Sequence, residues 1–369
     1  MEILSLPDEI SDLFVNKMVN FEDIVRYGAV CKSWQSSARR IMKNRSFAPW
    51  LMLVASSDDR KLGIQKLFSL SSNCIFNFQG LYYDKETRYW GSSFGWVVAH
   101  CLDHTIHLLN PFSGVRLPLP PQPTFKHQYK NQRDPRNLVR AFVSKAVLSS
   151  PPTLDCKDDS CVVLAINSEF RRLSYARPGD QAWTPIQSRL RGYNDAIFYQ
   201  GHFYALTMAK HLVIVDINVF QPKTTHFASP PKSIEVSNKF YLVEMSGDLY
   251  FVERASYGYV RRRLPHRETT SFKFHKLDFN TRRWRSIRDI GGHAVFLGGN
   301  TSFAILAKNS PGCRPNCIYF TDDYSELYTV PFCDMGVYDF EKKTLLPIYS
   351  GKDTTSDVSR PLLTRDSWL

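Results

Sequence analysis

The sharpest group of metal-capable side chains is His100-Cys101 with His104 and His107. Imidazole nitrogen and thiolate sulfur are good zinc ligands, and three-residue spacings recur in zinc sites. The elements that must carry these residues work against that chemistry. Gly95 to Ala99 and Ile106 to Leu109 read as two strands of a hairpin, with Asp103-His104 at the turn. Alternation along a strand sends the four side chains to different faces, so no metal site is expected. Cys313, Cys317 and Cys333 fare no better, because Pro315 separates the first two and no fourth ligand closes the set. The paired acids Asp158-Asp159 and Asp322-Asp323 read as exposed turn residues. No Gly-x-x-x-x-Gly-Lys phosphate cradle is present, and no nucleophile elbow is expected. Gly291-Gly292 and Gly298-Gly299 read as hairpin turns. The chain therefore reads as non-enzymatic, with no catalytic residue, no metal and no cofactor.

Charge offers a second chemistry. The chain carries a formal net charge of +12, part of it concentrated between Arg261 and Arg288. That stretch holds Arg261, Arg262, Arg263, Arg267, Lys273, Lys276, Arg282, Arg283, Arg285 and Arg288, opposed only by Glu268, Asp278 and Asp289. A basic run of this kind meets nucleic acid, an anionic surface or an acidic partner, or is simply a solvated face. Tyr257, Tyr259 and Arg261 to Arg263 are the candidate substrate-binding residues. They sit in a polar connection between strand runs, and Tyr and Arg dominate interface hot spots.

The elements that position these groups fall into two parts. With 369 residues, 43% apolar and 22% charged, the chain is long enough for about two folded domains. Residues 1–48 read as a three-helix module and residues 49–369 as an all-β domain. Ser5 and Asp8 form a capping-box-like start around Pro7. Ile10, Leu13, Phe14 and Met18 then share one helical face. Ile24, Val25, Val30, Trp34, Ala38 and Ile41 continue the helical spacing, and Arg39, Arg40, Lys43 and Arg45 gather where a helix C-terminus favours cations. A module this small completes its core against a neighbour. Leu6, Pro7, Ile10, Val30, Cys31 and Trp34 are its candidate contact residues.

Leu6-Pro7-Asp8-Glu9-Ile10, then Asp23, then Val30-Cys31-Lys32-Ser33-Trp34 resembles an F-box. The resemblance implies docking onto the Skp-type adaptor of a cullin ubiquitin ligase. Leu6, Pro7, Ile10, Val30, Cys31 and Trp34 would contact that adaptor or support the surface that does.

Beyond Asn44 the texture changes to short β-branched and aromatic runs, such as Val162-Val163-Leu164-Ala165 and Leu212-Val213-Ile214-Val215. Aromatics make up 14% of the chain, with 25 Phe and 18 Tyr, which suits strands. A weak repeat pairs two strands across a Gly-containing turn at Gly201, Gly247 and Gly298. A later strand ends in Asp at Asp216, Asp278 and Asp339. The period of roughly 50 residues suits a four-stranded kelch-type blade. It predicts a β-propeller of about six blades, within a range of five to seven.

The stretches Gly91-Ser92-Ser93-Phe94-Gly95-Trp96, Asn110-Pro111-Phe112-Ser113-Gly114 and Pro315-Asn316-Cys317-Ile318-Tyr319-Phe320 resemble the kelch-related domain that follows the F-box in a large plant family. The resemblance implies a substrate receptor of an SCF-type ligase. Its partners would be a Skp-type adaptor, a cullin through that adaptor, and an unknown protein substrate. The alternative is an anion- or nucleic-acid-binding propeller that uses the 261–288 stretch beside a degenerate F-box. The N-terminus has no basic and apolar leader pattern, and no apolar run approaches the roughly 20 residues of a membrane span. Nucleus and/or cytoplasm is the expected location, with no membrane partner and the 8 Cys mostly reduced.

Overall fold

The structure, a computed structural model, describes residues 7–18, 21–43, 47–53, 57–79, 87–91, 93–111, 113–128, 134, 138–139, 141–153, 161–190, 192–231, 239–261, 264–299, 302–323, 334–349 and 362–364. Three helices come first: α1 (Asp8–Lys17), α2 (Phe21–Gly28) and α3 (Lys32–Lys43). Pro7 is the N-cap of α1, and Asp8 and Glu9 fill its first turn, where unpaired N–H groups favour negative charge. Ser5, the expected cap, lies outside the described residues. Ser11 Oγ and the Tyr27 hydroxyl share a buried hydrogen bond of 2.5 Å between α1 and α2. Arg40 on α3 donates to both carboxylate oxygens of Asp12, at 3.0 and 2.7 Å, and ties α1 to α3.

Six sheets follow. The first blade holds β1 (Trp50–Met52), β2 (Ile64–Ser69) and β3 (Ile75–Gln79), with the short α4 (Ser57–Lys61) between the first two. The second blade runs β4 (Arg88–Gly91), β5 (Val97–His100), β6 (Ile106–Leu109) and β7 (Arg116–Leu119). The third runs β8 (Val143–Leu148), β9 (Val163–Asn167), β10 (Arg172–Ala176) and β11 (Thr184–Pro185). The fourth holds β12 (Tyr193–Tyr199), β13 (His202–Thr207), β14 (Leu212–Asp216) and β15 (Lys223–Ala228). The fifth holds β16 (Lys239–Met245), β17 (Asp248–Arg261), β18 (Leu264–Asp278) and β19 (Arg283–Ile287). The sixth holds β20 (His293–Leu297), β21 (Phe303–Leu306), β22 (Cys317–Phe320), β23 (Gly336–Asp339) and β24 (Thr344–Leu346). The last strand, β25 (Leu362–Thr364), returns to the first blade and pairs with β1 through Trp50↔Thr364 and Met52↔Leu362. The ring is thus a six-bladed propeller, closed by pairing the two ends of the β region, which leaves no open ring edge.

Around the axis β25 lies beside β4, β4 beside β8, β8 beside β12, β12 beside β16, and β16 beside β21. Where their side chains are described, these inner strands are largely buried on both faces, because another blade covers each side. Alternate residues of one strand therefore serve opposite seams. Tyr241 and Val243 of β16 pack toward the sixth blade, while Phe240 and Leu242 pack toward the fourth. Outer strands read differently. The β15 sequence Lys-Thr-Thr-His-Phe-Ala is largely exposed, and β19 carries Arg283 and Arg285. Charge on an outer strand discourages edge-to-edge association.

Two sequence signals have clear local causes. Gln200-Gly201 and Ser246-Gly247 have positive φ at both positions (46° and 81°, 51° and 80°), as a tight two-residue hairpin turn requires. The strand-ending Asp residues cap the next turn. Asp216, Asp278 and Asp339 each accept backbone N–H groups two or three residues on, at 2.9–3.1 Å.

The sixth sheet departs from the expected four-stranded meander. It has five strands in the order β21-β20-β22-β23-β24, and β20 pairs with β22 in parallel. The Phe296–Phe303 hairpin folds β21 inward beside β16, so the chain must cross back to continue the sheet on the other side of β20.

The helical module has no separate core. Val15, Phe21, Ile24, Tyr27, Ala38, Met42 and Phe47 pack in one cluster with Trp50, Met52 and Leu67 of the first blade and Tyr89, Val97 and Leu109 of the second. Trp50 is its centre, with ring centroids 5.6 Å from Phe21, 5.4 Å from Phe76 and 6.1 Å from Phe78. Glu22 accepts a hydrogen bond from Ser72 Oγ at 3.0 Å across the same contact. Trp50→Ala is expected to cost about 3–5 kcal/mol, read as a lower denaturation midpoint. Hydrogen exchange should then rise together in α2 and the first blade. Loss confined to the blade, with α2 still protected, would show that the helices do not depend on this contact.

Candidate functional site

The helical module presents an apolar face to solvent. Ile10, Leu13 and Phe14 of α1 are 42%, 59% and 54% exposed, and Val25 and Val30 are exposed elsewhere on the module at 37% and 49%. The inward positions of α1 are Ser11 and Val15. The shared i, i+3, i+4 spacing of residues 10, 13 and 14 is therefore a surface stripe rather than a core stripe. Of the expected contact residues, Pro7 and Ile10 lie at this surface, Val30 is exposed elsewhere on the module, and Leu6 is outside the described residues. Cys31 is half-buried. Trp34 stacks on Tyr27 with centroids 4.3 Å apart and packs against the shared core. Leu13 and Phe14 belong to the face although the sequence did not single them out as contacts. Their helical spacing was the available signal.

The second feature is a long hairpin on the fifth blade. Residues 257–263 were expected to form a polar connection. Instead β17 and β18 stay paired from Tyr250↔Lys276 to Arg261↔Leu264, with a bulge at Ala255/Ser256. Tyr257, Tyr259 and Val260 on one strand and Thr269 and Thr270 on the other favour extended backbone here over a loop. Beyond Arg254, β17 outruns its inner partner β16, whose pairing ends at Lys239↔Arg254. The hairpin therefore leaves the ring as an arm, on the face where the inner strands begin. Tyr257 on the arm is 65% exposed. Tyr259 and Arg261 lie on the strand with undescribed side chains, and Arg262 and Arg263 lie outside the described residues.

The base of the arm is fastened by Arg254, which is fully buried. Its Nε donates to Thr269 Oγ1 (2.7 Å), and Nη1 donates to Asp323 Oδ1 (3.1 Å) and the Thr321 carbonyl (3.0 Å). Nη2 donates to Asp334 Oδ2 (2.9 Å) and the Asp334 carbonyl (3.0 Å). The guanidinium also lies over the Phe320 ring at 4.5 Å. Thr269 Oγ1 in turn donates to Asp334 Oδ2 at 2.8 Å. Both strands of the arm are thereby tied to the sixth blade. Asp322-Asp323, expected as exposed turn residues, are buried. Asp323 accepts from Tyr241 and pairs with Lys239 at 3.0 Å. Burial raises its pKa, but Lys239 and Arg254 outweigh that and hold it below the usual carboxylate range. A matching pair stands nearby, Lys145–Asp195 at 2.7 Å, and Asp195 also accepts the Leu242 N–H at 2.7 Å. These contacts join the third, fourth and fifth blades.

The other sequence candidates disperse. His100 is buried on β5, while His104 sits at the turn with φ 68°, and His107 contacts Thr105 Oγ1 at 3.2 Å. Among the described residues no group of three metal-capable side chains comes together. Burial pushes the Cys313 and Cys317 thiols up to about 12 and about 11, while Cys333 and Asp158-Asp159 lie outside the described residues. Gly91-Ser92-Ser93-Phe94-Gly95 does carry the letters Gly-x-Ser-x-Gly. It joins a strand to a strand rather than to a helix, and Ser93 Oγ accepts the Leu148 N–H at 3.3 Å. It is not an elbow. In the basic stretch, Lys276 pairs with Asp248 (2.6 Å), Arg285 pairs with Asp278 (2.8 Å), and Arg282 lies over Phe227.

Two measurements probe these polar groups. Arg254→Met leaves Asp323 and Asp334 buried without their shared cation. It is expected to cost about 3–5 kcal/mol in chemical denaturation. A change under about 1 kcal/mol would mean that Lys239 alone suffices. His100 packs near Trp90, and burial, aided by His104, pushes its pKa down to about 3. The native chain keeps it neutral, while the unfolded chain takes up a proton below about 6.5. Stability should therefore fall as pH drops from about 6.5 toward 3. His100→Leu is expected to flatten that fall, and identical pH slopes for the two proteins would remove His100 as its source.

The model of the KIB1-4 beta-propeller family matches residues 67–339. Three Arabidopsis thaliana proteins are similar over most of their length. F-box protein SKIP23 is 25% identical, covering 91% of this chain and 88% of that protein. F-box protein At2g17036 is 25% identical, covering 92% and 89%. F-box/kelch-repeat protein KIB1 is 27% identical, covering 84% and 75%. The matched span lies within the six-bladed ring and the helical module stands ahead of it, so the chain belongs to the KIB1-4 beta-propeller family and is a plant F-box/kelch-like protein.

Proposed function

We propose that this protein is the substrate-recognition subunit of an SCF-type cullin ubiquitin ligase. The helical module docks to a Skp-type adaptor, and through it to a cullin, while the propeller holds a protein substrate. The observation that carries the reading is the exposed stripe of Ile10, Leu13 and Phe14, on a helical module whose other side is built into the ring. An exposed apolar face on an otherwise well-packed module marks an interaction surface. The arm at Tyr257 and the ring face around it are the proposed substrate surface, since loops and projections on a rigid scaffold carry recognition. Such a subunit acts by holding its substrate near the transferring enzyme and needs no catalytic residue of its own. No described helix is long and apolar enough to cross a membrane. Nucleus and/or cytoplasm is the proposed site of action.

The test is capture of a purified plant Skp-type adaptor by the full chain and by an Ile10→Asp, Phe14→Asp double variant. Both side chains are exposed, so the variant should fold. The expected result is tight binding by the wild type and a loss of about 30-fold or more in the variant. Unchanged capture by the variant, or none by the folded wild type, would sink the reading.

A further inference from the structure

At the rim of the ring the third and fourth blades are stitched together. The Gln187 N–H donates to the Pro222 carbonyl at 2.7 Å, and the Gln187 carbonyl accepts the Thr224 N–H at 3.0 Å. A parallel bridge joins Gln187 to Lys223. Beside this seam opens a cavity of about 600 Å³, lined in part by Ser188, Arg189, His211, Lys223, Thr224 and His226. Among the described residues that line it, none is acidic. Arg189 and Lys223 are exposed cations at its edge.

The polar walls are ordered without being closed to a ligand. Thr224 Oγ1 donates to Ser188 Oγ at 2.8 Å, and Ser188 also shares a hydrogen bond of 2.6 Å with the Tyr193 hydroxyl. His211 Nδ1 and His226 Nε2 are 3.3 Å apart, so one ring donates to the other. That leaves one N–H on the accepting ring for a ligand, while the free nitrogen of the donating ring is an acceptor. A third metal-capable side chain does not join them among the described residues, which argues against a metal ion. Two cations, one free imidazole N–H and no carboxylate among the described lining residues match a tetrahedral dianion, whose several oxygens accept charge-assisted hydrogen bonds. The cavity is larger than a phosphate alone, and Leu190, 37% exposed, also lines it and offers apolar surface to a neighbouring group.

We propose that this seam pocket binds a phosphoryl group carried on a protein segment. The match to a dianion stands on the pocket's chemistry; that its bearer is a peptide rests on the substrate-receptor reading above. Arg189 and Lys223 supply the charge, and the histidine pair supplies one directed N–H.

The test uses the full chain and a degenerate phosphothreonine peptide library with a fluorescent label, beside the same library without phosphate. Polarisation should rise only with the phosphorylated library, and inorganic phosphate should compete. An Arg189→Gln, Lys223→Gln double variant should bind about tenfold or more weakly. Its thermal midpoint should match the wild type, since both side chains are exposed. Equal binding of the two libraries, or full binding by the variant, would overturn the proposal. So would binding of phosphatidylserine vesicles or an oligonucleotide in place of the peptide. Adaptor capture, measured in parallel, should be unchanged in this variant. Lost capture by the wild type with intact phosphopeptide binding would instead strike the receptor reading and leave the pocket standing.

Discussion

The seat of the helical module on the ring depends on Trp50. Its backbone pairs with β2 on one side and with the returning β25 on the other, so it sits at the point where the ring closes. Its ring packs against Phe21 of α2 and against Phe76 and Phe78 of β3. One side chain thus joins ring closure to helix docking. A helical module of this size buries too little surface to stand alone. Sharing a core with two blades solves that problem, and it frees α1 to leave Ile10, Leu13 and Phe14 uncovered.

The other seams use the same apolar logic, and three of them add the buried polar contacts already described. Apolar packing between blades is non-directional and tolerates small slips. A buried ion pair does not, because a misplaced partner leaves a desolvated charge. Lys145–Asp195 with the Leu242 N–H sets the relation of three consecutive blades. Arg254 sets the fifth blade against the sixth and fixes the root of the arm. These pairs contribute orientation more than stability, which is the best-attested role for buried charge.

The parts that were legible in the sequence are the local ones. Glycines at 201 and 247 and aspartates at 216, 278 and 339 act within two or three residues of themselves, so their letters announce their geometry. Inner strands covered on both faces read as plain apolar runs. The outer strands were harder: β7 contains Pro118, β11 has only Thr184-Pro185, and β15 reads as a polar segment. Their strand character comes from the neighbour they pair with. The parallel step in the sixth sheet and the burial of Asp323 are likewise decided across the ring. Asp323 meets Arg254 at a separation of 69 residues, which no local pattern encodes. The exposed α1 stripe was visible as spacing, but a helical stripe alone does not say whether it meets the chain's own core or another protein.

Geometry then constrains what the proposed receptor does. The helical module is built into the first and second blades, and the arm rises from the fifth. In a ring of six, the fifth blade stands opposite the second. A substrate held at the arm is therefore carried across the ring from the adaptor, at a separation set by the scaffold rather than by a linker. Unbroken seams and buried ion pairs along that path leave little freedom for the two ends to approach each other. Ubiquitin transfer by proximity requires the acceptor lysine to reach the enzyme. With both docking surfaces held by one rigid ring, that reach must come from the substrate's own chain or from the rest of the ligase.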